Sequence, residues 1–165
     1  FASAEPSPPN VPPLKSIAPA PFGTAIKASQ IDDPDWVALA RANVSQLTPE
    51  WEMKMERIMT ADGGYDFSAA DRIAAFARDN GLRVHGHTVI WYSQGGEVFD
   101  DATVPRARFA AEYDRYISTF VGRYKGQMAG WDEKPSAGPG WWVESKARLR
   151  GQRWCARRHP GLEVC

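Results

Sequence analysis

The order of patterns along this chain predicts an α/β fold: about four strands and three helices laid down alternately, then an irregular C-terminal tail. Three observations carry that expectation. Short apolar runs alternate with stretches of helical period, the mark of parallel strands joined by crossover helices. The helical stretches are cleanly punctuated, with Asp-Pro, Ser or Pro ahead of them and Gly behind the clearest one. The length of 165 residues, with 43% hydrophobic and 24% charged side chains, suits one globular unit with a real core. A closed (β/α)8 barrel takes eight strands and about 250 residues. The pattern therefore reads as a partial (β/α)8 TIM barrel or as a small open α/β sheet.

The elements follow in order. Glu5 to Pro21 holds seven prolines and reads as an extended arm or linker, giving a first segment of residues 1–21. Phe22–Ala28 ("FGTAIKA") is short, apolar and rich in small residues, and reads as a buried strand. Asp33-Pro34 supplies an N-cap and a first-turn proline for a helix that carries Trp36, Leu39 and Ala40 on one side. "VSQLTPEWEMKM" follows as strand, turn and short helix. The clearest helix is "FSAADRIAAFARDNGL", with Ser68 as cap, Asp71 completing a capping-box pattern, an apolar face of Ile73, Phe76 and Ala77, and Gly81 as stop. Arg83–Trp91 ("RVHGHTVIW") is the next strand. A long amphipathic helix starts at Pro105, with Phe109, Tyr113, Tyr116, Ile117, Phe120 and Tyr124 at helical spacing. "MAGW" opens a fourth strand.

Bulk properties exclude several classes. Twenty basic and twenty acidic residues cancel, so no overall field points to nucleic acid or to an anionic membrane surface. No apolar run approaches the roughly 18 residues that span a bilayer. Ala2 and Ala4 in "FASA" supply the small-x-small pattern of a signal-peptidase site, which with the start at Phe1 reads as a mature or partial secreted or periplasmic protein. Both cysteines, Cys155 and Cys165, sit in the tail, where pairing would staple nothing to the main body. Seven Trp offer either core filling or flat faces for sugar rings.

Parallel α/β folds bind ligands at the carboxyl ends of their strands. The residues closing the strands here are Lys27; Glu50, Trp51 and Lys54; His85, His87 and Trp91; and Trp131, Asp132 and Glu133. Carboxylates, imidazoles, a lysine and indoles together suit a neutral polyol, with hydroxyls bonded by charged groups and ring faces covered by Trp. Plainer readings stand beside this one. Glu50 and Lys54 are four apart with the acid first, as in an ordinary surface helix pair, and Trp91 could be core. His85 and His87 lie at i and i+2 of a strand and so face the same way, a spacing that can hold a metal. Two histidines are too few for a catalytic metal, and the third, His159, lies in the tail.

Taken together, "LTPEWEMKM", "YDFSAADRIAAFARDNGLRVHGHTVIWYSQ" and "VGRYKGQMAGWD", in this order and spacing, resemble glycoside hydrolase family 10, the endo-1,4-β-xylanases. The resemblance runs from about Pro12 to Asp132. It implies residues 22–133 as the N-terminal half of a (β/α)8 barrel with a xylan-binding cleft, retaining hydrolysis through a covalent glycosyl-enzyme, and no cofactor or metal. It also implies roles. In the family's T-x-E-N-x-x-K element, Glu50 and Lys54 match the sugar-binding Glu and Lys, while Trp51 replaces the Asn and exchanges a hydrogen bond for a flat face. In its G-H-T-x-x-W-x-x-Q element, His87, Trp91 and Gln94 match, and His85 stands where a basic residue is common. Lys54 and His87 would donate to sugar hydroxyls and Glu50 would accept, holding the ring in register as it flattens toward the transition state.

Retaining hydrolysis needs two carboxyl groups about 5–5.5 Å apart. The resemblance puts the acid/base at the end of W-D-V-V-N-E; here Trp131 and Asp132 are followed by Glu-Lys-Pro-Ser, which leaves Ser136 at that position and Pro135 before it. Glu133 serves only if three residues have been lost ahead of it. No T-E-L-D-type element, which would carry the nucleophile, occurs in the 165 residues. The expectation is a chain that keeps sugar-binding residues but is catalytically incomplete alone. Residues 134–165 depart from the family altogether, as a diverged tail or, in better accord with their Arg/Gly/Trp/Cys mixture, a reading-frame slip or partial gene. The alternatives are a non-catalytic xylo-oligosaccharide-binding remnant and a metal-dependent hydrolase using His85 and His87. A half-barrel also leaves a sheet edge open, so self-association is expected.

Overall fold

The structure is a computed structural model, and it describes residues 11–90 and 103–133. The elements, in chain order, are helix α1 (Leu14–Ile17), strand β1 (Gly23–Ile26), a 3-10 turn (Ala28–Asp32), α2 (Pro34–Asn43), β2 (Gln46–Pro49), α3 (Met55–Ile58), α4 (Ser68–Asp79), β3 (Arg83–Ile90), α5 (Arg106–Arg123) and β4 (Gly130–Glu133). The four strands form one parallel sheet in the order β1-β2-β3-β4. Spatial order equal to sequence order is the winding of a barrel. A doubly wound sheet would reverse direction partway. The strand and helix alternation predicted from the sequence is therefore present, and the order resolves its two readings in favour of the partial barrel.

Local chemistry explains most boundaries. The Asp33 carboxylate accepts from the backbone N–H of Asp35 and of Trp36, and Pro34 opens α2, as the Asp-Pro signal required. Gly81 ends the α4 segment at φ +64°, a left-handed conformation that only glycine adopts without steric cost. Every apolar position named for the long helix, from Phe109 to Phe120, is buried in α5, and Tyr124 at its C-cap is buried too.

Three expectations need correction. Ser68 is not the cap of α4; it is the first helical residue, and the Asp66 carboxylate two positions earlier accepts its N–H at 2.8 Å. Asp71 consequently takes no part in a capping box. It bonds Arg123 and the Tyr124 hydroxyl (2.9 Å), tying the start of α4 to the end of α5. Leu39 is 65% exposed instead of sharing the buried side of α2, because α2 buries Ala40 and rests Trp36 on Phe76 of α4, which leaves Leu39 off that contact. Within the proline-rich segment, expected as an extended arm or linker, residues 14–17 form a helical turn. Leu14 N–H donates to the Asn43 side chain and Lys15 Nζ donates to Arg41 O, so the turn is fastened to the end of α2.

The core lies between sheet and helices, with Ile26, Leu47, Ile58, Ile73, Ile90 and Phe120 fully buried. Between β3 and β4 it depends on one glycine. A β-carbon at Gly86 would lie 2.2 Å from the Trp131 indole, which stacks across the strand and meets Phe120 edge-on at 5.0 Å. No described helix is long and apolar enough to cross a membrane.

Candidate functional site

The strand ends gather the site. Along β3, Val84, Gly86 and Thr88 alternate with His85 and His87. Gly86 pairs with Trp131, and Trp131 faces the aromatic residues Phe120 and Tyr124. By the two-residue alternation of strands, His85, His87 and Asp132 share the opposite face. Trp131 is thus partly buried and packs its indole against the core, on the face opposite His85, His87 and Asp132, contrary to its place among the strand-closing candidates.

Asp132 links the two histidines. Its Oδ1 lies 2.8 Å from His85 Nε2 and its Oδ2 lies 2.8 Å from His87 Nδ1. The Thr88 hydroxyl donates to the Asp132 carbonyl at 2.8 Å, closing the connection between the ends of β3 and β4. Burial pushes the Asp132 carboxyl up, but the hydrogen bonds and charges of the two imidazoles outweigh it and hold the carboxyl below its ordinary value. An ionised carboxylate only accepts, so His85 Nε2–H and His87 Nδ1–H are the donors. This alters the expected polarity of His87. With Nδ1–H committed to Asp132, a neutral ring can only accept at Nε2, and it donates there only when charged. Both histidines do face one way, as their spacing required. Their nitrogens converge on a carboxylate, and the described residues hold no group of three or more ligands suited to a metal ion.

At the end of β2 the arrangement is more local. Glu50 N–H donates to Ile26 O, continuing the β1–β2 pairing, and the Glu50 carboxylate pairs with Lys27 Nζ at 3.5 Å. The expected helical pair of Glu50 with Lys54 does not form, because Glu50 closes a strand and Lys54 is the N-cap of α3. Lys54 N–H closes a turn on Trp51 O, and its ammonium lies 4.3 Å from the centre of the Trp51 ring. Glu52 braces this turn: its carboxylate accepts from Ala28 N–H and Trp51 N–H, joining the ends of β1 and β2. Trp91 and Gln94 lie outside the described residues, as do Ser136, His159, Cys155 and Cys165; β4 includes Glu133 in its backbone.

Sequence reasoning missed Glu52 and the double role of Asp132. Asp132 was visible only as a strand-end carboxylate, and its double role needs the β3–β4 register. Glu52 carried no signal, since its partner Ala28 is 24 positions away.

A singly wound parallel sheet with cationic, carboxylate and imidazole groups toward its strand ends defines part of a β/α-barrel. The sequence pattern of Glycosyl hydrolase family 10 matches residues 14–133, most of the chain, and the chain belongs to that family. A beta-1,4-xylanase of Dictyoglomus thermophilum is 32% identical over 156 residues, covering 94% of this chain and 41% of the relative. Endo-1,4-beta-xylanase B of Paenibacillus barcinonensis is 38% identical over 116 residues, covering 67% of this chain and 33% of the relative. Among solved structures, a xylanase of Paenibacillus barcinonensis complexed with a conduramine derivative superposes with TM-score 0.77 over 95% of this chain and 52% of that one, at 23% identity, a likeness of fold. A mutant solved with xylotriose gives TM-score 0.62 at 30% identity over 68% of this chain and 35% of that one. The chain thus spans less than half the length of these curated relatives.

Proposed function

We propose that this chain is the sugar-gripping N-terminal half of a retaining endo-1,4-β-xylanase site, which binds xylo-oligosaccharide and does not cleave it alone. The observation that carries the reading is the hydrogen bond by which Asp132 fixes the His87 ring, in a family 10 chain that also keeps Glu50 and Lys54. Trp91 and Gln94 belong to the same proposed binding set by their match to the family element. A xylopentaose complex of a Pseudomonas fluorescens xylanase A mutant, similar in fold, supports the substrate class. The incompleteness rests on the absence of a nucleophile element from the 165 residues and on Pro135 and Ser136 where the acid/base is expected. Without a nucleophile no covalent glycosyl-enzyme forms. A secreted or periplasmic location agrees with a polymeric substrate outside the cell.

Calorimetry with xylohexaose tests binding, and reducing-sugar release from xylan tests cleavage. Heat at millimolar sugar with no release is expected. Absence of heat would remove the binding reading, and release of sugar would overturn the reading of the carboxylates. Among the described strands β1 and β4 are the outer ones, which supports self-association through an open edge; a concentration-independent monomer on size exclusion would sink that expectation. The metal reading has less support, since both imidazoles already address Asp132.

A further inference from the structure

We propose that His85 is a positioning residue for His87: by donating to Asp132 Oδ1 it locks the carboxylate, so that Oδ2 holds the His87 ring as an acceptor toward a sugar hydroxyl. The inference rests on the sugar-binding reading above and deepens it, because it names what decides whether His87 gives or takes a hydrogen bond.

Three observations carry it. The pairing of His85 with Gly130 and of Gly86 with Trp131 places Asp132 two residues beyond the position opposite His85, within reach of both histidines. The two carboxylate oxygens are used one each, Oδ1 by His85 Nε2 and Oδ2 by His87 Nδ1, both at 2.8 Å. Gly130 makes room for this. A β-carbon there would lie 3.2 Å from His85 Nδ1, so the bare strand lets the imidazole lie close across β4 with Nε2 at the carboxylate.

The terminal torsion of an aspartate is broad, so a carboxylate held by one partner turns with little resistance. The two imidazoles are each 31% exposed and Asp132 is 46% exposed at the side chain, so water competes for each bond taken singly. Two donors on separate oxygens fix the torsion that one leaves free. An ionised carboxylate accepts at both oxygens, which puts the protons on His85 Nε2 and His87 Nδ1. A neutral His87 then accepts at Nε2. Without the His85 donor Asp132 turns, and His87 divides between its two tautomers. If the Nδ1–H form fell from nearly all to about half of the rings, affinity for a hydroxyl that donates to Nε2 would fall about twofold.

The test uses the full chain and two variants that separate donation from ring packing. His85→Gln keeps an N–H donor and loses the ring; His85→Phe keeps a ring and loses the donor. Imidazole nitrogen shifts, recorded at about pH 9 where an imidazole is ordinarily neutral, report which nitrogen carries each proton. In the parent chain they should show Nε2–H at His85 and Nδ1–H at His87. The opposite tautomer at either ring overturns the proposal with no variant needed. His85→Phe should bring His87 to a mixture of tautomers, while His85→Gln should keep the parental form. A parental His87 in His85→Phe overturns the proposal. So does an equal mixture in both variants, because ring packing would then be what counts. Calorimetry with xylotriose reads the consequence: binding should weaken about twofold in His85→Phe and stay parental in His85→Gln. Equal binding by the parent chain and His85→Phe overturns the link to the sugar. If the parent chain binds no xylotriose, the sugar-binding reading falls, and the nitrogen shifts still decide whether His85 positions His87.

Discussion

The two ends of the candidate site are built differently. At the β3–β4 end, one carboxylate from β4 satisfies imidazoles at positions 85 and 87 of β3, more than forty residues away in sequence. At the β2 end, Trp51, Glu52 and Lys54 arrange one another within a single turn. The first exists only when two strands pair in the right register. The second is mostly set once the turn closes, with Ala28 as its long-range anchor. Their responses to perturbation should separate accordingly, with pairing damage felt at the histidines and local changes confined to the lysine.

The largest effect is expected from Gly86→Ala. Its methyl group would collide with Trp131, so either the indole or the strand must move, at a cost near the upper end of the roughly 1–3 kcal/mol typical of overpacking. Urea unfolding should show the loss, and the His85 and His87 side-chain NMR signals should shift together while Lys54 is unchanged. Asp132→Ala comes next. It removes two hydrogen bonds to a half-exposed carboxylate and should cost about 1–2 kcal/mol. Asp132→Asn should recover part of that and free the His87 tautomer, which imidazole nitrogen shifts report.

Acid separates the regions in a third way. Asp132 is held below its ordinary pKa of 3.8 against the opposing push of burial. Asp71 is lowered chiefly by its Arg123 hydrogen bond. A lowered folded-state value means the stabilisation is complete above about pH 4 and is lost as pH falls through the folded values. The unfolding midpoint should therefore drop below pH 4, and the Asp132→Asn chain should show a shallower drop over the same window. The smallest effect is expected from Lys27→Met. The Lys27–Glu50 pair is nearly half exposed at both side chains, so its loss should change stability by no more than about 0.5 kcal/mol. A larger loss would mean that the β2 end depends on long-range pairing as much as the β3–β4 end does.

How far the sequence could be read follows the same division. The Asp33-Pro34 start, the Gly81 stop and the buried face of α5 were legible because each depends on neighbours within a turn or two. Ser68 misled because two acceptors, Asp66 and Ser68, compete for one helix start, and only the folded backbone shows which one reaches the N–H. Leu39 misled because helical period marks a face without saying which part of it is covered. For the site, the motifs named Glu50, Trp51, Lys54 and His87, and the Trp51–Lys54 contact is local, yet the partners Lys27 of Glu50 and Asp132 of His87 were set by strand order and register.

By itself the sequence determined the alternation of strands and helices, most of their limits and the family motifs, since these rest on short-range chemistry. Tertiary structure alone decided that Trp131 packs against the core and that Asp132 holds two histidines. The physical reason is shared: a side chain's direction alternates along a strand, but what it meets depends on which residue of the next strand stands opposite.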